Sequence, residues 1–227
     1  MDVADALRTR SSKRAFTSRP VPRDRVAHIL GLAGLAPSGS NIQPWHVYAI
    51  AGAPRDALCA EVREAALGDR SAYQREYNYY PDPWREPYLS RRRACGWGLY
   101  SLLGIRKGDR EAGLRQEVRN FDFFGAPVGL FFYIERDMQP GSWLDYGMFM
   151  QSIMLVARDF GLDTCPQAAW AHFHRIVTRH LGAPAEQMLV CGMALGYADP
   201  VEPVNAYRPD RLDVDDYTRF MGFGDPA

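Results

Sequence analysis

The stretch Ala-Pro-Ser-Gly-Ser-Asn-Ile-Gln-Pro-Trp, residues 36–45, is the part of this 227-residue chain that is most informative about its fold. Its small residues allow a ligand to approach the backbone closely. Asn41 and Gln43 each offer paired hydrogen-bond donors and acceptors, which suit a flat heterocycle with amide edges. A turn between a helix and a strand explains the serines and the asparagine equally well, although turn chemistry does not require the Gln-Pro-Trp that follows.

Two further stretches are rich in groups that bind anions. Arg-Ser-Ser-Lys-Arg at residues 10–14 combines cations with hydroxyls, and these donors suit a phosphate or carbonyl oxygens. Asn-Ala-Tyr-Arg-Pro-Asp-Arg at residues 205–211 places two arginines three positions apart, where they can clamp one phosphate. Taken alone, each stretch is more simply a solvated surface, the first as a basic loop and the second as arginines paired with Asp210 and Asp213.

Outward from residues 36–45, the spacing of apolar residues predicts a helix over 22–36 and a strand over 46–51. Gly161 and Gly182 stand where helices end in a left-handed residue. The segment 68–89 is irregular and aromatic, and the tail 198–227 is extended and rich in turns. The other predicted helices cover 54–67, 91–103, 109–120, 143–160 and 173–181, and the other strands cover 128–135 and 188–196. This order predicts an α+β layered fold with one mixed sheet.

Composition excludes several classes of function. The 27 basic and 27 acidic side chains balance, which argues against a nucleic-acid surface and against a polybasic membrane anchor. Residues 1–14 are charged and resemble no signal peptide, and the chain has no apolar run of about 18 residues that could span a bilayer. The four cysteines are far apart, so we expect free thiols in a cytoplasmic protein. His172 and His174 are two apart and do not share a helix face, so we expect no metal site there.

The C-terminal tail predicts a second subunit. It has too few internal contacts to fold alone, and its aromatic side chains are costly to leave in water. We expect it to cross a partner subunit and to add a strand to the partner's sheet.

Four ordered motifs resemble the nitroreductase family of FMN-dependent oxidoreductases. They are Arg10, Ser12, Arg14 and Phe16; residues 36–45; Gly-Leu-Asp-Thr-Cys-Pro at 161–166; and the ending from Leu195 to Arg211. Residues 80–88, 91–93, 120–130 and 141–147 further resemble the branch that reduces nitrobenzoates. Ser11 stands where an arginine is common in the family, and Ala198 stands where a proline is usual.

The resemblance implies a fold, an activity and a mechanism. The fold is three-layered, with a central mixed or antiparallel sheet between helices, one FMN-binding domain over residues 1–227, and a C-terminal tail swapped onto the partner of a homodimer. The activity is the reduction of small nitroaromatic molecules with electrons from NADH or NADPH. One pocket that serves two flat substrates in turn predicts ping-pong kinetics.

The resemblance also assigns the cofactor-binding residues. Arg10, Ser12 and Arg211 are expected at the phosphate with help from Arg208, and Ser11 belongs to the same segment. Arg14 is expected at the pyrimidine edge of the ring, where a fixed cation stabilises the anionic reduced flavin. The remaining assignments are Pro37, Ser38 and Ser40 from the other subunit, Asn41 and Gln43 at the ribityl chain or ring edge, and Pro166, Gln167 and Ala168 against the ring.

The aromatic segment 73–88 is a candidate lid for the substrate pocket, with Tyr80, Trp84 and Tyr88 as substrate-binding residues. Packing of this segment onto neighbouring helices explains its aromatic residues equally well. No protein acid or base is assigned, because hydride transfer is the chemistry of the cofactor. A tract of three arginines either contacts a phosphate of NADPH or, more simply, forms a solvated helix face; it consists of Arg91, Arg92 and Arg93.

Other activities within and beyond this family stay open. They are a flavin reductase, a quinone or enone reductase, a halotyrosine dehalogenase, a flavin-degrading enzyme that forms dimethylbenzimidazole, and a non-catalytic FMN-binding redox sensor. The residues Asn-Ile-Gln at 41–43 argue against the dehalogenase. The sequence does not determine the natural substrate, the choice between NADH and NADPH, or whether electrons pass one or two at a time.

Overall fold

Four antiparallel strands form the central sheet of the computed structural model, which describes residues 1–224. The strands lie in the order β1-β2-β4-β3. Their bounds are β1 His46–Ala51, β2 Val128–Glu135, β3 Asp163–Gln167 and β4 Gln187–Gly196. The two central strands, β2 and β4, are almost wholly buried, so the middle of the sheet forms the core of the fold.

Helices cover both faces of this sheet. The helices of the described residues are α1 Val3–Thr9, α2 Arg23–Ala33, α3 Gly52–Leu67, α4 Tyr88–Leu102, α5 Arg110–Val118, α6 Pro140–Asp159, α7 His174–Leu181 and α8 Val214–Tyr217. Side chains of β2 alternate between the faces, as a pleated strand requires. Phe131 and Tyr133 pack in the apolar cluster that includes α3 and α7, whereas Leu130 and Phe132 pack in the cluster that includes α2 and α6. The three layers confirm the predicted α+β fold, and all strand pairs are antiparallel rather than mixed.

Most predicted elements are present with small shifts of their ends. The predictions for β1 and β2 are correct at both ends, and β4 begins one residue earlier than predicted. Gly161 and Gly182 have φ angles of 68° and 62°, which confirms the left-handed helix ends. Strand β3 was not predicted. Its residues include a proline, and it pairs with β4 along its length and with Ser12 at Thr164, so its strand conformation depends on tertiary pairing.

The tail differs from a plain extended segment. Pro203–Ala206 forms a turn of 3₁₀ helix, and α8 follows. Tyr217 and Phe223 are 68% and 77% exposed within one protomer. The predicted domain 1–227 and the predicted tail 198–227 both include residues 225–227, which lie outside the described residues.

No helix within residues 1–224 is long and apolar enough to cross a membrane. The same part of the chain contains no cluster of three or more side chains suited to hold a metal ion. His174 instead lies 3.1 Å from the carboxylate of Glu76.

Candidate functional site

Arginines from the two ends of the chain meet at the end of α1. Arg10 is the C-terminal cap of that helix and is half-buried. The guanidinium of Arg208 donates hydrogen bonds to the carbonyl oxygens of Arg10 at 3.0 Å and Thr9 at 2.8 Å. Burial lowers the pKa of Arg10, and the nearby positive charges of Arg211 and Arg208 lower it further. The structure therefore brings Arg10, Arg208 and Arg211 into one electropositive site.

This cluster has no counter-charge of its own. Among residues 1–224, no carboxylate forms an ion pair with Arg10, Arg14, Arg208 or Arg211. The hydroxyl of Ser11, the residue that follows Arg10, is buried without a hydrogen-bond partner. Converging guanidinium groups that lack a carboxylate, next to an unsatisfied hydroxyl, are the chemistry of an anion site.

Residues 12–15 are held between β3 and the tail. Ser12 pairs with Thr164 in a parallel bridge, and the amide of Lys13 donates to the carbonyl oxygen of Thr164 at 3.1 Å. On the other side, the amide of Arg14 donates to Oδ1 of Asn205 at 2.8 Å. The guanidinium of Arg14 donates to the carbonyl oxygen of Ser12 at 3.2 Å. The basic segment is thus fixed against the start of β3.

Cys165 lies in β3 beneath this segment. Burial raises the pKa of its thiol to about 11, against the opposing effects of Arg14, Ser12 and Arg10. The thiol is therefore protonated at neutral pH, so Cys165 is not an activated nucleophile.

A cavity of about 320 Å³, here called the inner cavity, opens beside the end of β3. Pro166, Gln167 and Ala168 line it, as do Trp143 of α6 and Tyr77 of the aromatic segment. Its other lining residues are Asn78, Tyr79, Met150, Val190 and Cys191. The walls are largely apolar, so a flat ring is well accommodated here.

The side chain of Gln167 points away from solvent and is fixed in place. Its amide nitrogen donates to the carbonyl oxygen of Asn120 at 2.7 Å, and its oxygen accepts from the indole of Trp170 at 3.4 Å. Gln167 therefore contributes backbone and shape to the inner cavity, because its polar atoms are engaged in the core.

Residues 36–45 lie along α6, apart from the arginine cluster. The amide of Gly39 donates to Asp145 at 3.0 Å, and Trp45 stacks on Phe149 with ring centroids 4.7 Å apart. Ser40, Asn41 and Gln43 are exposed and have φ angles of 49°, 57° and 49°. Ser38 supports this turn, since its hydroxyl accepts from the amide of Gln43 at 3.0 Å, and Pro37 is exposed. No hydrogen bond among the described residues joins this segment to the arginine cluster of the same protomer.

The three residues of the aromatic segment that were assigned to the substrate do not all line the same cavity. Tyr80 and Trp84 line a second, more polar cleft of about 590 Å³, here called the outer cleft, with ring centroids 4.9 Å apart. The outer cleft adjoins the inner cavity, because Tyr77, Asn78 and Tyr79 line both. Tyr88 lines neither; its ring lies under Arg85 and Arg91 at 4.8 and 6.0 Å.

Several residues of the site are absent from the set assigned by sequence. The side chain of Asn205 docks the tail, and Lys13 donates to the carbonyl oxygen of Asn205 at 2.9 Å. Trp143 and Tyr77 form walls of the inner cavity. All four lie in segments that the sequence already marked, but a spacing pattern does not show which side chains of a segment face a cavity.

The fold and this site place the chain in a known family. A family model described as the nitroreductase family matches residues 7–197, so the chain belongs to the nitroreductase family. The family predicted from the four motifs is thereby confirmed.

Individual relatives are similar over nearly their whole length. A 4-nitrobenzoate reductase from Pseudomonas putida is 41% identical over 222 residues, covering 98% of this chain and 96% of the relative. A chloronitrobenzene nitroreductase from Comamonas testosteroni is 38% identical over 219 residues, covering 96% of each. Among solved structures, the FMN- and NADPH-dependent nitroreductase NfnB from Sphigopyxis sp. strain HMH is 39% identical with a TM-score of 0.95, covering 98% of this chain and all of that one. The nitroreductase NfnB from Mycobacterium smegmatis, solved in complex with NADPH, is 30% identical with a TM-score of 0.90, covering 97% of this chain and all of that one.

Proposed function

We propose that this protein is an FMN-dependent NAD(P)H nitroreductase that acts on small nitroaromatic compounds of the nitrobenzoate kind. Its relatives at about 40% identity are named for the reduction of 4-nitrobenzoate and chloronitrobenzene. Two similar structures are of nitroreductases described as FMN-dependent, one of them also as NADPH-dependent and the other solved in complex with NADPH.

The arginine cluster is the observation that carries the proposal. Arg10 is half-buried next to Arg208 and Arg211, and the mutual repulsion of these cations is relieved when an anion binds among them. The phosphate of FMN fits this donor set, with Ser12 and the buried hydroxyl of Ser11 as further donors. Arg14 lies three residues after Ser11 in the same basic segment, and we assign it to the pyrimidine edge of the flavin ring.

Bound FMN supplies the redox chemistry, since it takes a hydride from a nicotinamide and delivers it to an acceptor. The protein contributes position and the exclusion of water. Pro166, Gln167 and Ala168 line the inner cavity together with Trp143 and Tyr77. The hydrogen bonds of Gln167 to the core hold its part of this lining rigid. We assign no side chain as a catalytic acid or base.

The active form is proposed to be a homodimer in which each cofactor site uses both subunits. Pro37, Ser38, Ser40, Asn41 and Gln43 are then supplied across the interface. The support is that residues 39–43 are exposed in one protomer although their backbone is held in an unusual conformation.

The tail supports the same dimer. Phe220, Met221 and Phe223 are 58%, 84% and 77% exposed in one protomer, an apolar surface that is costly in water. We propose that the tail crosses the partner and adds to its sheet, and that residues 1–227 form one domain.

We further propose a ping-pong order of events in the cytoplasm. The inner cavity lies at Pro166, in the segment assigned to the flavin ring, so we propose that NAD(P)H and the nitroaromatic bind there in turn over the same face of the flavin. The four free cysteines, three of them buried, suit a reducing compartment. Tyr80 and Trp84 are proposed to meet bound substrates at the mouth of this cavity, and Tyr88 to support the segment from outside it.

Steady-state kinetics of the purified protein test this function. With NADPH and 4-nitrobenzoate varied together, we expect parallel double-reciprocal lines and a hydroxylamine product identified by chromatography. A protein that binds FMN and oxidises NADPH with a quinone but not with any nitro compound is a quinone reductase. A protein that binds FMN but turns over with no acceptor is a redox sensor.

A further inference from the structure

The outer cleft is a polar cavity that adjoins the inner cavity, and the proposed reduction of a nitro group does not by itself require it. Resting on the proposed function, we propose that the outer cleft is a second anion site, which binds the adenosine 2′-phosphate of NADPH through Arg75 and Arg92. The protein would then prefer NADPH to NADH because of these two side chains.

Arg75 is placed to receive an anion. It is half-buried, and its Nε is buried without a hydrogen-bond partner. Its guanidinium lies 5.9 Å from the ring centroids of both Tyr79 and Tyr80, so two aromatic faces keep the charge at the cleft. A guanidinium that lacks a carboxylate partner and lines a cleft favours binding of a phosphate there.

Arg92 approaches the same cleft from α4. Its guanidinium stacks 4.8 Å above the ring of Trp84, and both side chains line the cleft. Arg91 and Arg93 are its neighbours in sequence, but neither lines the cleft as the structure describes it. The basic tract 91–93 therefore consists of one cleft arginine and two arginines on other parts of the helix surface.

The local charge is positive even though one acid lines the cleft. Asp82 opposes Arg75 and Arg92, which leaves one net positive charge. Glu76, which directly follows Arg75, is already engaged by Arg136 at 2.8 Å and by His174 at 3.1 Å. Burial lowers the pKa of His172 in the same cleft, and the charge of Arg75 lowers it further, as expected for an electropositive site.

The shape of the two cavities favours a dinucleotide over a small acid. A nitrobenzoate is a single substituted ring and is accommodated within the inner cavity. A nicotinamide in that cavity carries a long diphosphate arm, and the shared residues Tyr77, Asn78 and Tyr79 lead from the inner cavity to the outer cleft. Tyr80 and Trp84 then offer aromatic surfaces for the adenine.

Calorimetry on the FMN-loaded protein tests the site without turnover. The probes are adenosine 2′,5′-bisphosphate and adenosine 5′-monophosphate, and the variants are Arg92→Ala and Arg75→Gln. We expect each variant to bind the bisphosphate about tenfold more weakly, while the monophosphate changes less. Arg93→Ala is the matched control, and it should bind both probes as the unaltered protein does. Arg92 is exposed, so its variant should fold normally even if that of Arg75 does not.

Anaerobic flavin reduction by NADPH and by NADH provides the kinetic comparison. In Arg92→Ala we expect the half-saturating NADPH concentration to rise about tenfold and that for NADH to change little, with the limiting rate preserved.

Equal bisphosphate binding by all variants overturns the proposal. A variant that loses affinity for 4-nitrobenzoate alone also overturns it, because that result indicates a carboxylate subsite instead. If the nitro compound is not reduced but bisphosphate binding depends on Arg92, the proposed substrate is wrong and this site stands.

Discussion

The main-chain amide of Arg14 donates a hydrogen bond to the side-chain oxygen of Asn205, 2.8 Å away and 191 positions along the chain. The side-chain nitrogen of Asn205 donates to the carbonyl oxygens of Ala15 at 2.8 Å and Asp199 at 2.9 Å. One buried amide thus joins the basic N-terminal segment to the tail that carries Arg208 and Arg211. This connection holds the segment of Arg10 and Arg14 next to the segment of Arg208 and Arg211.

We therefore expect Asn205→Ala to lower both stability and cofactor affinity. The substitution leaves buried backbone groups without partners, which costs about 2 kcal/mol in the free energy of unfolding. Urea denaturation and FMN titration measure the two effects. Asn205→Asp is the control: it keeps the acceptor for Arg14 and loses the donor, so it should also be destabilised. Unchanged FMN affinity in a folded Asn205→Ala protein would show that the tail does not position the phosphate site.

The arginine cluster should discriminate between FMN and riboflavin, which lacks the phosphate. In Arg10→Ala we expect FMN affinity to fall about tenfold or more while riboflavin affinity changes little. Fluorescence titration of the apoprotein with both flavins measures this difference. Arg8→Ala, on the exposed side of α1 beside Asp5, is the control and should leave both affinities unchanged. Equal losses for the two flavins would place the phosphate elsewhere.

Sites shared between subunits should be restored by mixing two defective proteins. Arg10→Ala removes a phosphate contact, and Asn41→Ala with Gln43→Ala removes the contacts proposed to come from the partner. After unfolding and refolding together, half of the dimers are mixed and each has one intact site, so about a quarter of all sites should regain FMN binding. Each variant refolded alone is the control. No recovery in the mixture would mean that each site is built within one protomer.

Only Cys95 among the four cysteines should react quickly with a thiol reagent. It is exposed, whereas burial raises the pKa of Cys59 and Cys191 to about 12 and that of Cys165 to about 11. The buried thiols therefore stay protonated and unreactive at pH 8, because only the thiolate attacks. Ellman's reagent should count one fast thiol in the native protein, and Cys95→Ser should remove it.

The same pKa shifts predict how the free energy of unfolding changes at alkaline pH. The unfolded chain releases its thiol protons near pH 9, while the folded chain retains the protons of Cys59, Cys165 and Cys191 until about pH 11 or 12. The folded state thus binds more protons in this window, so the free energy of unfolding should fall as pH rises through it. Urea midpoints that stay constant from pH 8 to about 10.5 would contradict the burial of these thiols.

Close packing at the centre of the sheet should make Gly192 intolerant of a side chain. A Cβ atom there would lie 2.5 Å from Cδ1 of Trp170, which is fully buried. We expect Gly192→Ala to lower the free energy of unfolding by about 1–3 kcal/mol, through overpacking. Gly113→Ala in α5 has open space around the added atom and should raise it by up to about 1 kcal/mol. Equal effects of the two substitutions would argue against this packing.

Much of this fold was predictable because its central strands are strongly apolar and its helices end at glycines. β2 matches its predicted bounds for that reason, and the edge strand β1 matches its bounds as well. β3 was missed because Asp-Thr-Cys-Pro-Gln has no apolar alternation, and its conformation comes from pairing with β4 and with Ser12.

The site was predictable only at the level of segments. The basic residues 10–14 and 205–211 indicated an anion, and the structure joins them through Asn205, whose role depends on contacts 191 positions apart. The division of the aromatic segment between two cavities was not predictable, because periodicity does not determine which way each ring points. Tyr88 lies outside both cavities although its neighbours Tyr80 and Trp84 line one.

The proposed function requires that this chain hold FMN and pass electrons from NADPH to a nitro compound. Its most direct test follows the visible absorbance of the purified, flavin-loaded protein without oxygen, as NADPH and then 4-nitrobenzoate are added. We predict that NADPH bleaches the flavin and that the nitro compound restores its colour and yields a hydroxylamine. A protein that binds no flavin is not a flavoenzyme, and a bleached flavin that the nitro compound leaves unchanged would show that this protein is not a nitroreductase.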